Sequence, residues 1–316
     1  MNHPVLSSLL PVVLLIAIGF IAGQRQWIRT SAVKDLSNLV FVVLAPALLF
    51  RTMSTVHVEQ LDFKPVTAYF VAAGLIFFGT LVLRGFSRTA AVLALASTFS
   101  NTVMIGIPLI GFAYGDAGLV TLFTLISLHS LVMLTLATVV LELAVMRESA
   151  ADGQRAQRHM AATVALAVRN AIFHPVPLPI LAGLLFAQTG LVLPAAVDRP
   201  LQLLGTAFGP LALVLVGVTL AQTAVGTHVR GALALAAAKN LLHPLLVALL
   251  GWALGLGGLP FAVMIVAASL PIGANVFLFS QRYAVAEDLV TAGVAMSTVL
   301  ALATVSLVMA LAGRLG

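Results

Sequence analysis

Apolar residues fill the whole chain in long blocks, and this pattern constrains the fold more than any other feature of the sequence. Of the 316 residues, 61% are hydrophobic and 8% are charged, whereas about a quarter of an ordinary soluble domain is charged. So few charged side chains do not cover a soluble surface, and we therefore predict a membrane protein. A membrane-spanning helix needs about 20 apolar residues. The blocks predict an all-α protein with ten transmembrane helices, at residues 5–23, 36–53, 65–83, 90–113, 117–145, 164–187, 201–222, 230–255, 260–280 and 288–313.

Basic residues are unevenly distributed among the connections between these predicted helices. Eleven belong to alternate connections, and four belong to the other side of the membrane, where both chain ends also fall: Arg51, Lys64, Arg199 and Arg314. Cytoplasmic loops are enriched in Lys and Arg, so the alternate connections are predicted to be cytoplasmic and both termini to be outside. The net charge of +6 then reflects orientation. We expect no nucleic-acid partner, because no basic face has interleaved aromatic residues for base stacking.

A polar segment near the middle divides the chain into two parts with the same order of features. We predict a first repeat at residues 1–145 with helices 1–5, a cytoplasmic linker at 146–163, and a second repeat at 164–316 with helices 6–10. Because each part holds an odd number of helices, the second must lie upside down relative to the first. An inverted 5+5 repeat of this kind is typical of secondary transporters.

Weak sequence matches between the two parts support the repeat. A shift of 164 positions aligns Gly19 with Gly183, and an ungapped shift of 169 aligns Ser100 with Ser269. The identity is low, so the order of features is the stronger argument. Each part has a helix pair, a single helix, a broken helix and a long helix.

Helices 4 and 9 each contain a cluster of residues that a lipid-facing helix would not have. The clusters are Asn101, Thr102, Gly106 and Pro108 in helix 4, and Pro271, Gly273 and Asn275 in helix 9. Proline removes a backbone donor and clashes with the carbonyl four residues earlier. Freed backbone groups at membrane depth are tolerated only in a protein interior or beside water. We therefore predict that both helices are broken near the middle.

The two breaks predict a binding site for an anion. The amino ends of half-helices present N–H groups and a partial positive charge, and the side chains of Asn101 and Asn275 add amide donors that can orient a carboxylate. For one cluster alone, a proline kink packed against neighbouring helices would be the better interpretation. Two clusters at corresponding positions favour a site, and we assign substrate binding to both.

Four further residues inside the predicted helices are candidates. Lys239, in helix 8 near the midplane, is the one basic residue that the loop distribution does not explain. An intramembrane charge is a functional hypothesis by default, and Lys239 would either balance the charge of a bound anion or bind the carbonyl end of a half-helix. His129 in helix 5 would couple protons or bond a neighbouring helix. The hydroxyls of Ser100 and Ser269 are candidate ligands for a coupling ion.

These segments resemble a known family over essentially the whole chain. The run 100–109 (SNTVMIGIPL) resembles the N-x-x-x-x-G-x-P core of the auxin efflux carrier family. The run 271–277 (PIGANVF), followed by Arg282 and Tyr283, resembles its ninth-helix motif in the form common among bacterial malonate-type permeases. The segment 239–244 of helix 8 is also similar to the family.

The resemblance implies the fold of the bile acid:sodium symporters. In that fold helices 3–5 and 8–10 form a transport core, and helices 1, 2, 6 and 7 form a panel. The broken helices 4 and 9 cross in the core. Transport is then an elevator-type movement of the core against the panel, usually in a homodimer.

On these grounds we predict a secondary active transporter of a small organic anion, such as malonate or another carboxylate, in the bacterial inner membrane. The alternative is a sodium-coupled symporter of a bulkier organic anion. Helix 9 has no acidic residue, in contrast to the bile acid symporters, so Na+ coupling, H+ coupling and uniport stay open, as does a channel. An enzyme is not predicted, because HExxH, GxSxG and paired-acid motifs are missing from the sequence. We expect no metal site and no cofactor.

Overall fold

The computed structural model describes residues 4–151, 160–173, 175–223, 226 and 228–312. Within these residues the regular structure is helical and no β-strand occurs, which confirms the predicted all-α class. Six helical stretches are long and apolar enough to cross a membrane: Thr30–Met53, Phe63–Arg84, Thr102–Ser149, Ala195–Ala221, Val229–Ala253 and Glu287–Ala312. Three shorter apolar helices accompany them: Leu9–Gln24, Pro177–Ala187 and Gly258–Ser269.

The helices of the described residues are labelled here in chain order. They are α1 (Pro4–Gln24), α2 (Thr30–Leu39), α3 (Ala45–Met53), α4 (Phe63–Arg84), α5 (Arg88–Ala96), α6 (Ile107–Ala151), α7 (Met160–Ile172), α8 (Pro177–Ala187), α9 (Ala195–Ala221), α10 (Val229–Ala237), α11 (His243–Ala253), α12 (Gly258–Ser269), α13 (Asn275–Tyr283) and α14 (Glu287–Ala312). Gly115, with φ 61° and ψ −155°, divides α6 into two segments. This division coincides with the predicted boundary between helices 4 and 5. Residues 152–159, the middle of the predicted linker, lie outside the described residues.

Three π-helical turns each end two residues before a proline. Val40–Leu44 precedes Pro46, Thr102–Gly106 precedes Pro108, and Ala238–Leu242 precedes Pro244. A proline ring clashes with the carbonyl four residues before it, and local π-helical adjustments let membrane helices accommodate such prolines. The helical path therefore continues through all three prolines.

The break in predicted helix 4 has a different cause from the one expected. Pro108 lies inside α6, whereas the chain leaves the helix at 97–101. The hydroxyls of Ser97 and Thr98 donate to the carbonyls of Leu93 and Ala94 at 2.9 Å, which closes the end of α5. Side chains of this type compete with the backbone for helical hydrogen bonds. The attribution of this break to Pro108 is therefore wrong.

The break in predicted helix 9 has the expected cause. α12 ends at Ser269, and Leu270 is extended with φ −60° and ψ 152°. A residue before proline is driven out of the helical region by the proline ring, and Pro271 follows directly. The helical path resumes with α13 at Asn275.

Glycines let two pairs of helices approach closely. α1 packs along α9, and α3 packs on α8. A Cβ atom at Gly19 would lie 2.7 Å from the carbonyl carbon of Val214, and one at Gly183 would lie 2.5 Å from the carbonyl oxygen of Phe50. Small residues at helix interfaces permit this backbone-to-backbone contact in membranes.

Among the described residues, the helices that lead into the two breaks are the most enclosed. Every residue from 90 to 96 in α5 and from 261 to 269 in α12 is buried. The breaks therefore lie in the protein interior, where irregular backbone at membrane depth is tolerated.

Candidate functional site

The two unwound segments lie antiparallel and bond to each other. Ser100 and Ile272 form an isolated antiparallel bridge. The N–H of Asn101 donates to the carbonyl of Pro271 at 2.8 Å, and the N–H of Gly273 donates to the carbonyl of Phe99 at 2.9 Å. The two predicted clusters are thus brought together in a crossing, defined here as residues 97–101 and 270–274.

Gly273 permits the close approach of the two segments. A Cβ atom at this position would lie 2.7 Å from Cδ1 of Phe99 and 3.1 Å from the carbonyl oxygen of Ser100. The Phe99 ring is itself stacked on His129, with ring centroids 4.4 Å apart. Any larger residue would therefore push against backbone and against a fixed ring.

Asn101 and Asn275 mark the points where the helical paths resume. Oδ1 of Asn101 accepts from the N–H of Met104 at 3.2 Å and so caps the π turn. Asn275 is the first residue of α13 and is half-buried. Within the described residues, neither the Nδ2 of Asn101 nor the side chain of Asn275 has a protein hydrogen-bond partner. Both amides are therefore available to a ligand.

A cavity of about 330 Å³ adjoins the crossing and contains both asparagines. Its lining also includes Ser100, Thr102 and Gly273, and on the opposite side Asn38, Phe41 and Val42 from α2 and its π turn, and Pro175 and Val176 between α7 and α8. The described lining contains no charged side chain. Polarity in this cavity comes from amides, hydroxyls and the starts of helices.

A hydrogen-bond network lies behind the cavity wall and includes a residue that the sequence analysis missed. The hydroxyl of Tyr69, on α4, lies 2.8 Å from Oγ of Ser100 and 3.1 Å from Nε2 of His129. All three residues are buried. The signal for Tyr69 was a single hydroxyl in an apolar run, which alone does not indicate a position near the site.

Three other predicted residues, Ser269, Gly106 and Pro108, lie outside the crossing and do not line the cavity. Ser269 donates from Oγ to the carbonyl of Val266 at 2.7 Å, within its own helix. A Cβ atom at Gly106 would lie 2.8 Å from Cδ1 of Leu270, so Gly106 supports the second unwound segment. Pro108 faces Gly209 of α9.

Lys239 lies behind the crossing and is fully buried. Its Nζ donates to the carbonyls of Ala268 and Leu270 at 2.6 Å and 2.8 Å. Two roles were considered for Lys239: balancing the charge of a bound anion, or binding the carbonyl end of a half-helix. Its contacts within the described residues are of the second kind.

A larger cavity of about 570 Å³ lies elsewhere and contains none of the predicted site residues. It is bounded by the ends of α3, α8 and α9, where Arg51 forms an ion pair with Asp198 at 2.7 Å. Asp116 and His57 also line it. We place the candidate site at the smaller cavity, because only there do the two helix breaks present their polar groups.

Apolar helices that are interrupted beside a cavity and present polar groups to it are typical of membrane transporters. The chain belongs to the family described as "Membrane transport protein", whose model matches residues 4–309. The resemblance to the auxin efflux carrier family is thereby confirmed. The family's description and the apolar helices indicate a multi-pass membrane transporter.

Two relatives are similar over nearly their full length. One is a protein of Rhizobium meliloti (strain 1021) named "Putative malonate transporter", 29% identical over 308 residues, which cover 94% of this chain and 92% of the relative. The other, from Escherichia coli (strain K12), is named "Uncharacterized transporter YfdV" and is 24% identical over 309 residues, 92% of each chain.

Proposed function

We propose that the protein is a secondary active transporter of a small organic anion such as malonate. The observation that carries this proposal is the crossing, where two helix starts and the amides of Asn101 and Asn275 meet at one cavity. Ligand pockets usually measure about 300–1,000 Å³, so a cavity of about 330 Å³ favours a small carboxylate over a bulky anion. The name of the Rhizobium relative makes malonate the first substrate to test.

Anion binding would depend on backbone and amide donors. The N–H groups of Ala274 and Asn275, at the start of α13, have no protein acceptor within the described residues. The first N–H groups of a helix lack intrahelical partners, and the helix start favours a negative charge. A dicarboxylate would place one carboxylate at the start of α13 and the other beside Asn101.

Contacts between the outer helices support an inverted 5+5 repeat. The shift of 164 positions that aligns Gly19 with Gly183 also aligns Phe50 with Val214. Gly19 approaches the backbone of Val214, and Gly183 approaches the backbone of Phe50. The same contact is thus made twice, with the two parts of the chain exchanging roles.

The crossing supports the same internal two-fold axis. A two-fold axis that exchanges Ser100 with Ile272 also exchanges the two backbone hydrogen bonds beside them. One runs from the N–H of Asn101 to the carbonyl of Pro271, and the other runs from the N–H of Gly273 to the carbonyl of Phe99. Because the axis passes between the two unwound segments, the proposed site lies at the interface of the repeats, where transporters of this kind bind substrate.

We also propose that the helices form a core and a panel that move against each other in an elevator-type cycle. The core comprises α4, α5, α6 and α10–α14, and the panel comprises α1–α3 and α7–α9. Side-chain contacts tie each group internally: Arg88 to Glu148 and Tyr283 to Glu142 in the core, and Arg51 to Asp198 in the panel. The cavity lies between the groups, so a relative movement would open or close it. A homodimer in the bacterial inner membrane completes the proposal.

Removing either asparagine amide should impair transport. Asn101→Ala and Asn275→Ala should each lower the accumulation of radiolabelled malonate in proteoliposomes by about tenfold. A hydrogen bond to a charged group contributes about 1.5–3 kcal/mol, and about 1.4 kcal/mol corresponds to a factor of ten. Accumulation against a gradient in the wild type separates a transporter from a channel.

Asn170→Ala is the matched control, because Asn170 is exposed on α7. It should transport as the wild type does, and all variants should elute as folded protein. Wild-type accumulation by both Asn101→Ala and Asn275→Ala would reject the crossing as the substrate site.

The proposed orientation can be tested with single cysteines, because the chain contains none. In intact cells a membrane-impermeant maleimide should label Thr55→Cys and should leave Gln154→Cys unlabelled until the membrane is opened. The reason is the excess of Lys and Arg in the connections placed in the cytoplasm. Labelling of Gln154→Cys from outside would reverse the topology.

A further inference from the structure

The side chains of Lys239 and Asn240 stabilise the break in predicted helix 9 from one side. Lys239 and Asn240 belong to the π turn Ala238–Leu242 and both are buried. Nζ of Lys239 donates to the carbonyls of Ala268 and Leu270 at 2.6 Å and 2.8 Å. Nδ2 of Asn240 donates to the carbonyl of Ser297 at 2.8 Å, and Oγ of Ser297 accepts from the N–H of Ile272 at 3.1 Å.

The carbonyls at the end of α12 are capped mainly by these contacts. The last carbonyls of a helix have no partner within the helix and carry a partial negative charge. Val266 accepts from the hydroxyl of Ser269, and Pro271 accepts from the N–H of Asn101. Between them, Ala268 and Leu270 both accept from the amine of Lys239. An amine is thus placed where the helix end attracts a cation.

Carbonyl oxygens at the end of a broken helix have a second use in transporters. Unwound carbonyls and the C-terminal ends of half-helices coordinate the coupling Na+ in several transporter folds. Here the carbonyl oxygens that such an ion would need already accept hydrogen bonds from Nζ of Lys239. No acidic side chain contacts Lys239 within the described residues. The other titratable groups near it are His243 on α11, His129 on α6 and Tyr69 on α4.

We propose that the Lys239 ammonium is the permanent cation of this break, in place of a coupling Na+, so that transport does not depend on sodium. The consequence for coupling rests on the transport function proposed above, whereas the role of the ammonium at the helix end does not. A second cation at these carbonyls would be repelled by the charge of the ammonium and would clash with the lysine side chain.

Thermal unfolding of the purified protein tests the proposal without any substrate. For the wild type, NaCl and choline chloride at equal concentration should give the same Tm, and malonate uptake should be equal in both salts. Lys239→Ala should lower Tm by about 5 °C or more, because two buried carbonyls lose their donor. Na+ or n-propylammonium should restore part of this loss and choline should not, since alanine leaves a space of the size of the lost side chain.

Two matched variants separate charge from volume. Lys239→Met keeps the volume and removes the charge, so its Tm should fall and no cation should restore it. Lys239→Arg should be more stable than Lys239→Met, and this comparison decides the matter if Lys239→Ala does not fold. A rise of the wild-type Tm or uptake with Na+, a folded Lys239→Ala that no cation stabilises, or equal stability of the Met and Arg variants would overturn the proposal. If the wild type does not accumulate malonate but the Tm pattern holds, only the transport proposal fails.

Discussion

Gly273→Val should lower malonate uptake by about a hundredfold while the protein still inserts into the membrane. The added side chain would meet the ring of Phe99 and the carbonyl oxygen of Ser100, at 2.7 Å and 3.1 Å from Cβ alone. The ring cannot turn away freely, because it is stacked on His129. Overpacking costs about 1–3 kcal/mol, and about 2.8 kcal/mol corresponds to two factors of ten in affinity. We expect a cost in the upper part of this range of overpacking energies, because the carbonyl oxygen of Ser100 belongs to the backbone.

Gly106→Ala is the control for this substitution. Its Cβ atom would also lie close to a neighbour, 2.8 Å from Cδ1 of Leu270, but that atom is the end of a flexible side chain. Uptake should fall much less than in Gly273→Val, and size-exclusion profiles should show that both variants are folded. If Gly273→Val transported at the wild-type rate, the close contact of the two segments would not be needed for function.

The break in predicted helix 9 could be located from the sequence at Pro271, whereas the break in predicted helix 4 lies at 97–101, earlier than Gly106 and Pro108 indicate. The register of the two segments could not be predicted. The ungapped shift of 169 aligns Ser100 with Ser269, whereas the structure pairs Ser100 with Ile272. The shift does hold further on, where Gly115 and Ala284 both adopt positive φ after the half-helix. The half-helix of the first part is therefore longer, and it includes a π turn. An ungapped comparison cannot place such an insertion.

The polar residues of the site were predictable to the extent that they form clusters. Asn101 and Asn275 were identified because Gly and Pro lie near them in an apolar helix. Tyr69 and Asn240 were not, because a single polar residue in an apolar run usually just bonds to a neighbouring helix. The partners of Lys239 are backbone carbonyls. Because every residue has a carbonyl, the sequence does not show which ones Lys239 binds. Only the path of the broken helix determines which carbonyls are unpaired.

Gly19→Val and Gly183→Val should each lower Tm by about 5–10 °C, and by similar amounts. Each valine would be forced against the backbone of the facing helix, Val214 in one case and Phe50 in the other. Overpacking of about 1–3 kcal/mol corresponds to a shift of about this size in a protein of a few hundred residues. The two effects should be alike because the proposed two-fold axis relates the two contacts. Thermal size-exclusion measurements on both variants test the equivalence directly.

Gly74→Val provides the background for both variants, since a Cβ atom at Gly74 in α4 would meet no atom within 4 Å. Its Tm should stay within about 2 °C of the wild type, because a residue in open space adds no clash and valine has a better helix propensity than glycine. A large loss in Gly19→Val with none in Gly183→Val would show that the two contacts are not equivalent. In that case the inverted repeat would lose its support from the outer helices, and only the crossing would still argue for the two-fold axis.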